Sequence, residues 1–325
     1  MKKIFITGGA GYVGSVLTPY LVKKNYQVTV FDLMLYGETL IENKNLKIIK
    51  GDIRNTELLK QTIKGNDTVI HLACISNDPS FELNPTLGKE INLDAFTPLV
   101  EISKNLGVKK FIYASSSSVY GIKTEKNVNE NMSLEPLTDY SKFKADCEKI
   151  LFKYKSKDFV TVVLRPATVC GYSPRQRLDL VVNILTNLAY HNREITIFGG
   201  DQLRPNIHIQ DMVRAYELFI RTDDERINGK TFNIGFENLT VNQLATKVQE
   251  CIGSDVKIKK LPTNDNRSYH ISSKKIQDEL GFITNFKISN AIEDLKNAFE
   301  KKLLSDCLTN EKYFNIKKMQ SINLK

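Results

Sequence analysis

Nowhere in this chain do apolar residues run for the ~18 positions that a membrane-spanning helix requires. A membrane-embedded protein is therefore not expected. Cys-x-x-Cys spacing is also missing: Cys74, Cys147, Cys170, Cys251 and Cys307 stand far apart with no histidine cluster beside them. This leaves no metal site and no disulfide framework to expect, and free thiols in a cytoplasmic enzyme are the simplest account. The formal charge of +9 comes mainly from scattered lysines such as Lys2, Lys3, Lys23 and Lys24, without a basic stripe interleaved with aromatic rings. Nucleic acid is thus not the expected partner; the charge reads as solvated surface with some steering of anionic substrates. Repeats and low-complexity stretches are absent too. Met1-Lys2-Lys3 leads straight into an apolar strand, so no cleaved leader is expected.

What remains is a 325-residue chain, 41% hydrophobic and 26% charged, long enough for a large core and about two domains. Its most informative stretch is Thr7-Gly8-Gly9-Ala10-Gly11-Tyr12-Val13-Gly14, directly after the apolar run Ile4-Phe5-Ile6. A glycine-rich turn from a buried strand into a helix suits a dinucleotide. Gly8 permits the tight turn, Gly11 lets backbone approach a pyrophosphate, and Gly14 lets helix and strand pack closely. The helix N–H groups and dipole, around Tyr12 and Val13, then face the phosphates. A second strand, 27–31, ends at Asp32, about 20 residues past the glycines, where a carboxylate holds the adenosine ribose hydroxyls. Asp32 would repel a 2′-phosphate, and Leu33-Met34-Leu35 offers no arginine to receive one, so NAD is expected over NADP.

From residue 1 to about 166, strands near 3–7, 27–31, 46–50, 67–72, 109–114 and 159–164 alternate with helical stretches. Alternation predicts an α/β fold, a doubly wound parallel Rossmann sheet. Beyond Pro166 the pattern is mixed: helices near 177–190, 209–221, 240–252 and 288–303, and short strands near 196–198, 231–234 and 256–259. Residues 167–305 read as a smaller α/β substrate-binding region, part of it returning to the main sheet, and 306–325 as a basic tail, either a peripheral helix or partly disordered. Ligands of such sheets bind beyond the strands' carboxyl ends. There lie Asp52 and Ile53 after the third strand, with Asp52 placed to bond an adenine amino group; Leu72 and Ala73 after the fourth; and Ser115 to Ser118 after the fifth.

Tyr140 and Lys144 lie one turn apart on one face of a helix running to about 155. An ordinary tyrosine titrates at about 10, and a nearby ammonium and a cationic nicotinamide both favour its phenolate. Lys144 is expected to tune Tyr140 and to hold the nicotinamide ribose, while Ser116 orients the reacting oxygen toward Tyr140.

These residues resemble the extended short-chain dehydrogenase/reductases that modify nucleotide sugars. The likeness covers the glycine turn, Asp32, Gly51-Asp52, His71-Leu72-Ala73, Asn92, Ser115 to Gly121, Tyr140-x-x-x-Lys144 and Leu164-Arg165-Pro166, in order and spacing. It implies NAD as cofactor, a nucleotide-sugar substrate bound through Ser116, Ser117 and Thr168, a place in surface polysaccharide or glycoconjugate synthesis, and a homodimer built on helices near 92–106 and 140–156. Leu93, Phe96, Leu99 and Ile102 would form the dimer stripe, although the same stripe suits packing onto the sheet. Asn92, grouped with the cofactor residues, belongs on this resemblance to the helix that keeps the active-site backbone in place. Arg175, Arg177, Asn183, Arg204 and Arg267 fall on the substrate side, and Arg204 and Arg267 are implied contacts of the nucleotide's phosphates or ribose. His208 and Asp211 are expected to tie the two regions together.

Within the family, dehydratases carry an Asp-Glu pair after the catalytic hydroxyl, where this chain has Ser117-Ser118, so dehydration is not expected. Galactose-type 4-epimerases carry Asn three residues after the arginine of this strand; here it is Thr168. The stretch 167–183 locally resembles the bacterial GDP-manno-heptose 4-dehydrogenases. The expectation is NAD-dependent redox at C4, as 4-epimerase or 4-dehydrogenase. An NADPH-dependent 4-ketoreductase and a non-catalytic dinucleotide-binding protein are the alternatives.

Overall fold

The computed structural model describes all residues except 77, 264–267, 269 and 323–325. The first half contains β1 (Lys3–Thr7), α1 (Gly14–Lys23), β2 (Gln27–Asp32), β3 (Leu46–Lys50), α2 (Thr56–Ile63), β4 (Thr68–His71), α3 (Asp78–Glu82), α4 (Pro85–Lys89), α5 (Phe96–Asn105), β5 (Lys110–Ala114), α6 (Asp139–Lys153) and β6 (Val160–Pro166). The second contains β7 (Thr168–Cys170), α7 (Val181–Asn192), β8 (Glu194–Phe198), β9 (Leu203–His208), α8 (Ile209–Arg221), α9 (Asp224–Ile227), β10 (Lys230–Ile234), β11 (Glu237–Thr240), α10 (Val241–Ile252), β12 (Lys257–Leu261), α11 (Lys274–Leu280), α12 (Ile288–Glu300) and α13 (Asn315–Ile322).

Among the described residues the main sheet has seven strands in the order β10-β6-β5-β4-β1-β2-β3, every pairing parallel. Side-chain alternation sends Ile4 and Ile6 to one face, against Leu17 and Leu21 of α1 and Met212 and Phe219 of α8. Phe5 goes to the other, with Leu59 of α2, Phe96 and Leu99 of α5 and Leu151 of α6. Both faces are covered, so the strands read as continuous apolar runs. Strand order reverses between β1 and β4, and a crevice opens outside their carboxyl ends.

β10 joins this sheet from the second half, beside β6. The rest of that half forms two small sheets, β11-β9-β7 and β12-β8, with a separate core in which α7, α10 and α12 pack together. The helix expected near 177–190 starts only at Val181, because the loop before it turns its backbone outward to other segments, with the Leu178 N–H donating to the Tyr313 carbonyl at 2.9 Å. β7, β9 and β11 escaped the sequence reading, being short and, in β9, interrupted by Pro205. Of the apolar stripe near 92–106, Phe96, Leu99 and Ile102 are buried in the core under the sheet, whereas Leu93 is half-buried against it. Among the described residues no helix is long and apolar enough to cross a membrane.

Candidate active site

One pocket of about 550 Å³ occupies the crevice. The glycine turn forms its floor. Gly8 has φ +72°, and a Cβ there would stand 2.6 Å from the Ala73 nitrogen. At Gly14 a Cβ would meet the Gly8 carbonyl oxygen at 2.5 Å and the Gly9 Cα at 2.6 Å. The bare backbone is thus what brings α1 onto β1 and opens a cradle lined by Gly8, Gly11, Tyr12, Val13 and Gly14. At the end of β2, Asp32 accepts the Ala10 N–H at 3.0 Å on one oxygen and the Met34 N–H at 2.8 Å on the other. Burial raises its pKa above the ordinary carboxylate range, against those two hydrogen bonds and the charge of Arg175. Asp52, Ile53, Leu72 and Ala73 line the same end. The Asp52 carboxylate is gripped by Arg54, at 2.8 Å; burial opposes its charge, but that grip outweighs burial and holds its pKa low.

The catalytic candidates converge at the other end. A reciprocal cap starts α6: the Thr138 hydroxyl accepts the Ser141 N–H while the Ser141 hydroxyl accepts the Thr138 N–H. Tyr140 therefore falls in the first turn and Lys144 in the next, and both line the pocket with Ser115, Ser116 and Ser117. The Ser116 hydroxyl bonds the Ser118 hydroxyl at 2.8 Å and, beside the Tyr140 phenol, favours its charged form. Lys144 is buried, its ammonium donating to the Ala114 carbonyl at 2.7 Å and lying 5.8 Å from the Tyr140 ring centre. Burial pushes the phenol well above its ordinary value, with Cys74 and Asp78 adding to the shift; Arg177 and the Ser116 hydroxyl pull it back. Beneath this end, Ser115 donates to Glu148, which binds Arg165 at 3.0 and 2.6 Å, and Arg165 in turn donates to the Tyr120 hydroxyl at 2.8 Å.

Thr168, Arg175, Arg177 and Arg204 also reach the pocket. Two expected residues do not. Asn183 is fully buried and all its amide groups are engaged, by the Gly171 N–H, the Arg177 carbonyl and the Tyr12 hydroxyl. It holds the 171–177 loop rather than a substrate. Asn92 lies in a π-turn, Glu90–Asp94, and bonds the Ile75 backbone in both directions, at 2.8 and 2.9 Å. It fixes the backbone after β4 and does not touch the cofactor end directly. Arg267 lies outside the described residues. Asp211 takes the Asn285 and Phe286 N–H groups and His208 bonds Asp294 at 3.1 Å, so both brace α8 against the segment before and within α12.

Sequence reasoning missed Tyr36, Ser76, Asp78, Asp179, Met212, Tyr216 and Asn315, which also line the pocket. Asp179 was legible as the acid two places from Arg177, which it binds at 2.8 Å. No local signal marks Asn315. The glycine cradle, which any Cβ would fill, and the buried carboxylate at the end of β2 fit a dinucleotide.

A parallel doubly wound sheet with this cradle and a Ser/Tyr/Lys cluster defines a dinucleotide-dependent enzyme of the short-chain dehydrogenase/reductase type. Residues 4–235 match the family described as the NAD dependent epimerase/dehydratase family. An uncharacterised UDP-glucose epimerase of Bacillus subtilis is 33% identical over 268 residues, 77% of this chain and 82% of that protein. A dTDP-D-glucose 4,6-dehydratase of Dictyostelium discoideum is 32% identical over 259 residues, 72% of this chain but only 58% of that protein's length. The structure of a UDP-glucose 4-epimerase with UDP-glucose from Thermotoga maritima superposes with TM-score 0.83 at 27% identity, covering 93% of this chain and all of that one. The chain belongs to the NAD dependent epimerase/dehydratase family, among the nucleotide-sugar enzymes.

Proposed function

We propose that this protein oxidises or inverts C4 of a nucleotide-activated sugar, as a 4-epimerase or 4-dehydrogenase, with NAD held by the glycine turn and Asp32. The observation that carries this reading is the single pocket with the cradle and Asp32 at one end and Ser116, Tyr140 and Lys144 at the other. Bound NAD supplies an acceptor for the hydrogen and two electrons leaving C4, and a positive charge near the phenol. Tyr140 takes the proton from the C4 hydroxyl as its oxygen becomes a carbonyl, and Ser116, lining the pocket beside that phenol, steadies the same oxygen. Lys144, anchored on the Ala114 carbonyl, bonds the nicotinamide ribose. Arg177 favours the charged phenol, and Arg204 and Thr168 meet the nucleotide sugar.

Dehydration is disfavoured by the carboxylates available. Asp32 is held by backbone N–H groups, Asp52 by Arg54, Asp78 by the Thr138 hydroxyl and Asp179 by Arg177, leaving none of these four as an uncommitted acid beside Tyr140. The test is incubation with UDP-, GDP-, dTDP- and CDP-sugars in ordinary and deuterated water, followed by mass spectrometry. A product lighter by two hydrogens identifies a dehydrogenase, and an isobaric product with altered retention an epimerase. Loss of water would contradict the proposal, as would the absence of turnover with every sugar.

A further inference from the structure

Arg175 was expected to meet the substrate, yet its surroundings lie on the cofactor side. It is only 4% exposed and lines the pocket. Its N–H donates to the Ser15 hydroxyl in the first turn of α1, at 3.3 Å. The adjoining Ser173 hydroxyl donates to the Tyr12 carbonyl at 2.7 Å and bonds Ser15 at 2.8 Å, so the loop 173–175 is stitched to the helix start. The guanidinium carbon sits over the Tyr36 ring, 3.5 Å from its centre, four residues beyond Asp32, and its charge acts on Asp32. This places Arg175 between the helix N-terminus and the ribose carboxylate.

Its own bonding is incomplete. Nη2 donates to the Asn315 side-chain oxygen at 2.6 Å and Nη1 to the Gln176 carbonyl at 3.4 Å, whereas Nε has no partner. No carboxylate forms an ion pair with it among the described residues, and burial lowers its pKa to about 10. Asp32 and Asp179 act on it only through space, and a buried guanidinium with no carboxylate in contact and one N–H unbonded is costly unless an anion completes it. Phosphate oxygens suit the guanidinium fork.

The residue that seats it comes from the far end of the chain. Asn315, at the start of α13, is 2% exposed; its amide also donates to Ser76 at 2.9 Å and its backbone N–H to Asp179 at 3.0 Å. One asparagine thus joins the loop after β4, the loop before α7 and the C-terminal segment. We propose that Arg175, seated by Asn315, is a ligand of the dinucleotide's diphosphate rather than of the sugar nucleotide's, so that the C-terminal segment belongs to the cofactor site. Arg175 acts by contact, and Asn315 is a positioning residue. This rests on the reading that the pocket takes NAD.

Binding, not turnover, tests it. The chain has no tryptophan, so the emission of bound NADH can be titrated without an indole background. Arg175→Gln is expected to weaken NADH and ADP-ribose by about tenfold or more. Arg175→Lys should recover only part, since an ammonium cannot fork or stack in the same way. Asn315→Ala is expected to weaken NADH several-fold with the same sign. A UDP-sugar measured by calorimetry should bind all three variants within about twofold of the parent. Matched NADH affinity in Arg175→Gln overturns the proposal, as does a loss that falls on the UDP-sugar instead. So does an Arg175-dependent preference for NADPH, which would assign the group to a 2′-phosphate. Failure of the parent protein itself to bind NADH would instead sink the reading beneath it, an outcome visible before any variant is made.

Discussion

The two walls of the pocket are built by different means. The wall under the glycine turn is local: a strand end, a turn free of side chains and the first turn of α1, all within residues 3–23, with Asp32 following on the next strand. The opposite wall is assembled from Ser76, Arg175, Arg177, Asp179 and Asn315, side chains that meet across as many as 239 positions of sequence. Local walls depend on backbone geometry and fail when a side chain intrudes. Assembled walls depend on paired polar groups and fail when one partner is removed.

The largest expected effect lies where a long-range pair is most buried. Glu148→Ala would leave Arg165 charged and uncompensated beneath the serine cluster, with both side chains nearly inaccessible, and should cost about 3 to 5 kcal/mol in a denaturant titration. An unchanged midpoint would mean the pair contributes only position. Next comes the local wall. Gly14→Ala puts a methyl against backbone atoms that cannot yield, with a predicted loss of about 1 to 3 kcal/mol and of NADH binding in direct titration; a variant that binds NADH normally would show the close approach to be dispensable.

A smaller, pH-dependent effect follows from Asp32. Because burial raises its pKa, acidification protonates it at a higher pH than an exposed aspartate. NADH affinity should therefore fall as pH drops through that raised value, by about tenfold for a lost charged hydrogen bond, and Asp32→Asn should flatten the limb while narrowing the preference over NADPH. A pH-independent affinity in the parent would contradict the role given to this carboxylate. The smallest effect is expected at Arg204, whose replacement by Ala should weaken a nucleotide sugar by about 1 kcal/mol in calorimetry while sparing NADH.

The same contrast explains what could be read in advance. The six alternating strands, the glycine turn, Asp32 and the Tyr140/Lys144 spacing are short-range patterns whose period or spacing carries the physics, and the structure brings these residues to one crevice. Asn183 misled because an asparagine in a loop looks the same whether its amide faces a ligand or, as here, the Tyr12 hydroxyl and neighbouring backbone. Position after β6 likewise does not tell which end of the crevice the loop carrying Arg175 will cover, which is why its proposed cofactor role came only from its contacts with Ser15 and Tyr36. The basic tail gave no hint of Asn315, because a single asparagine meeting Arg175 and Ser76 leaves no periodic trace.

The central claim is that the Tyr140 phenol accepts the proton when C4 is oxidised. It is tested most directly by a single-turnover experiment in which stoichiometric NAD and an active nucleotide sugar are mixed with parent or Tyr140→Phe protein and reduced nicotinamide is followed by absorbance. The account predicts that the variant binds NAD and sugar as the parent does but forms reduced cofactor about 10²- to 10⁴-fold more slowly. Reduction by Tyr140→Phe at the parent's rate would contradict it.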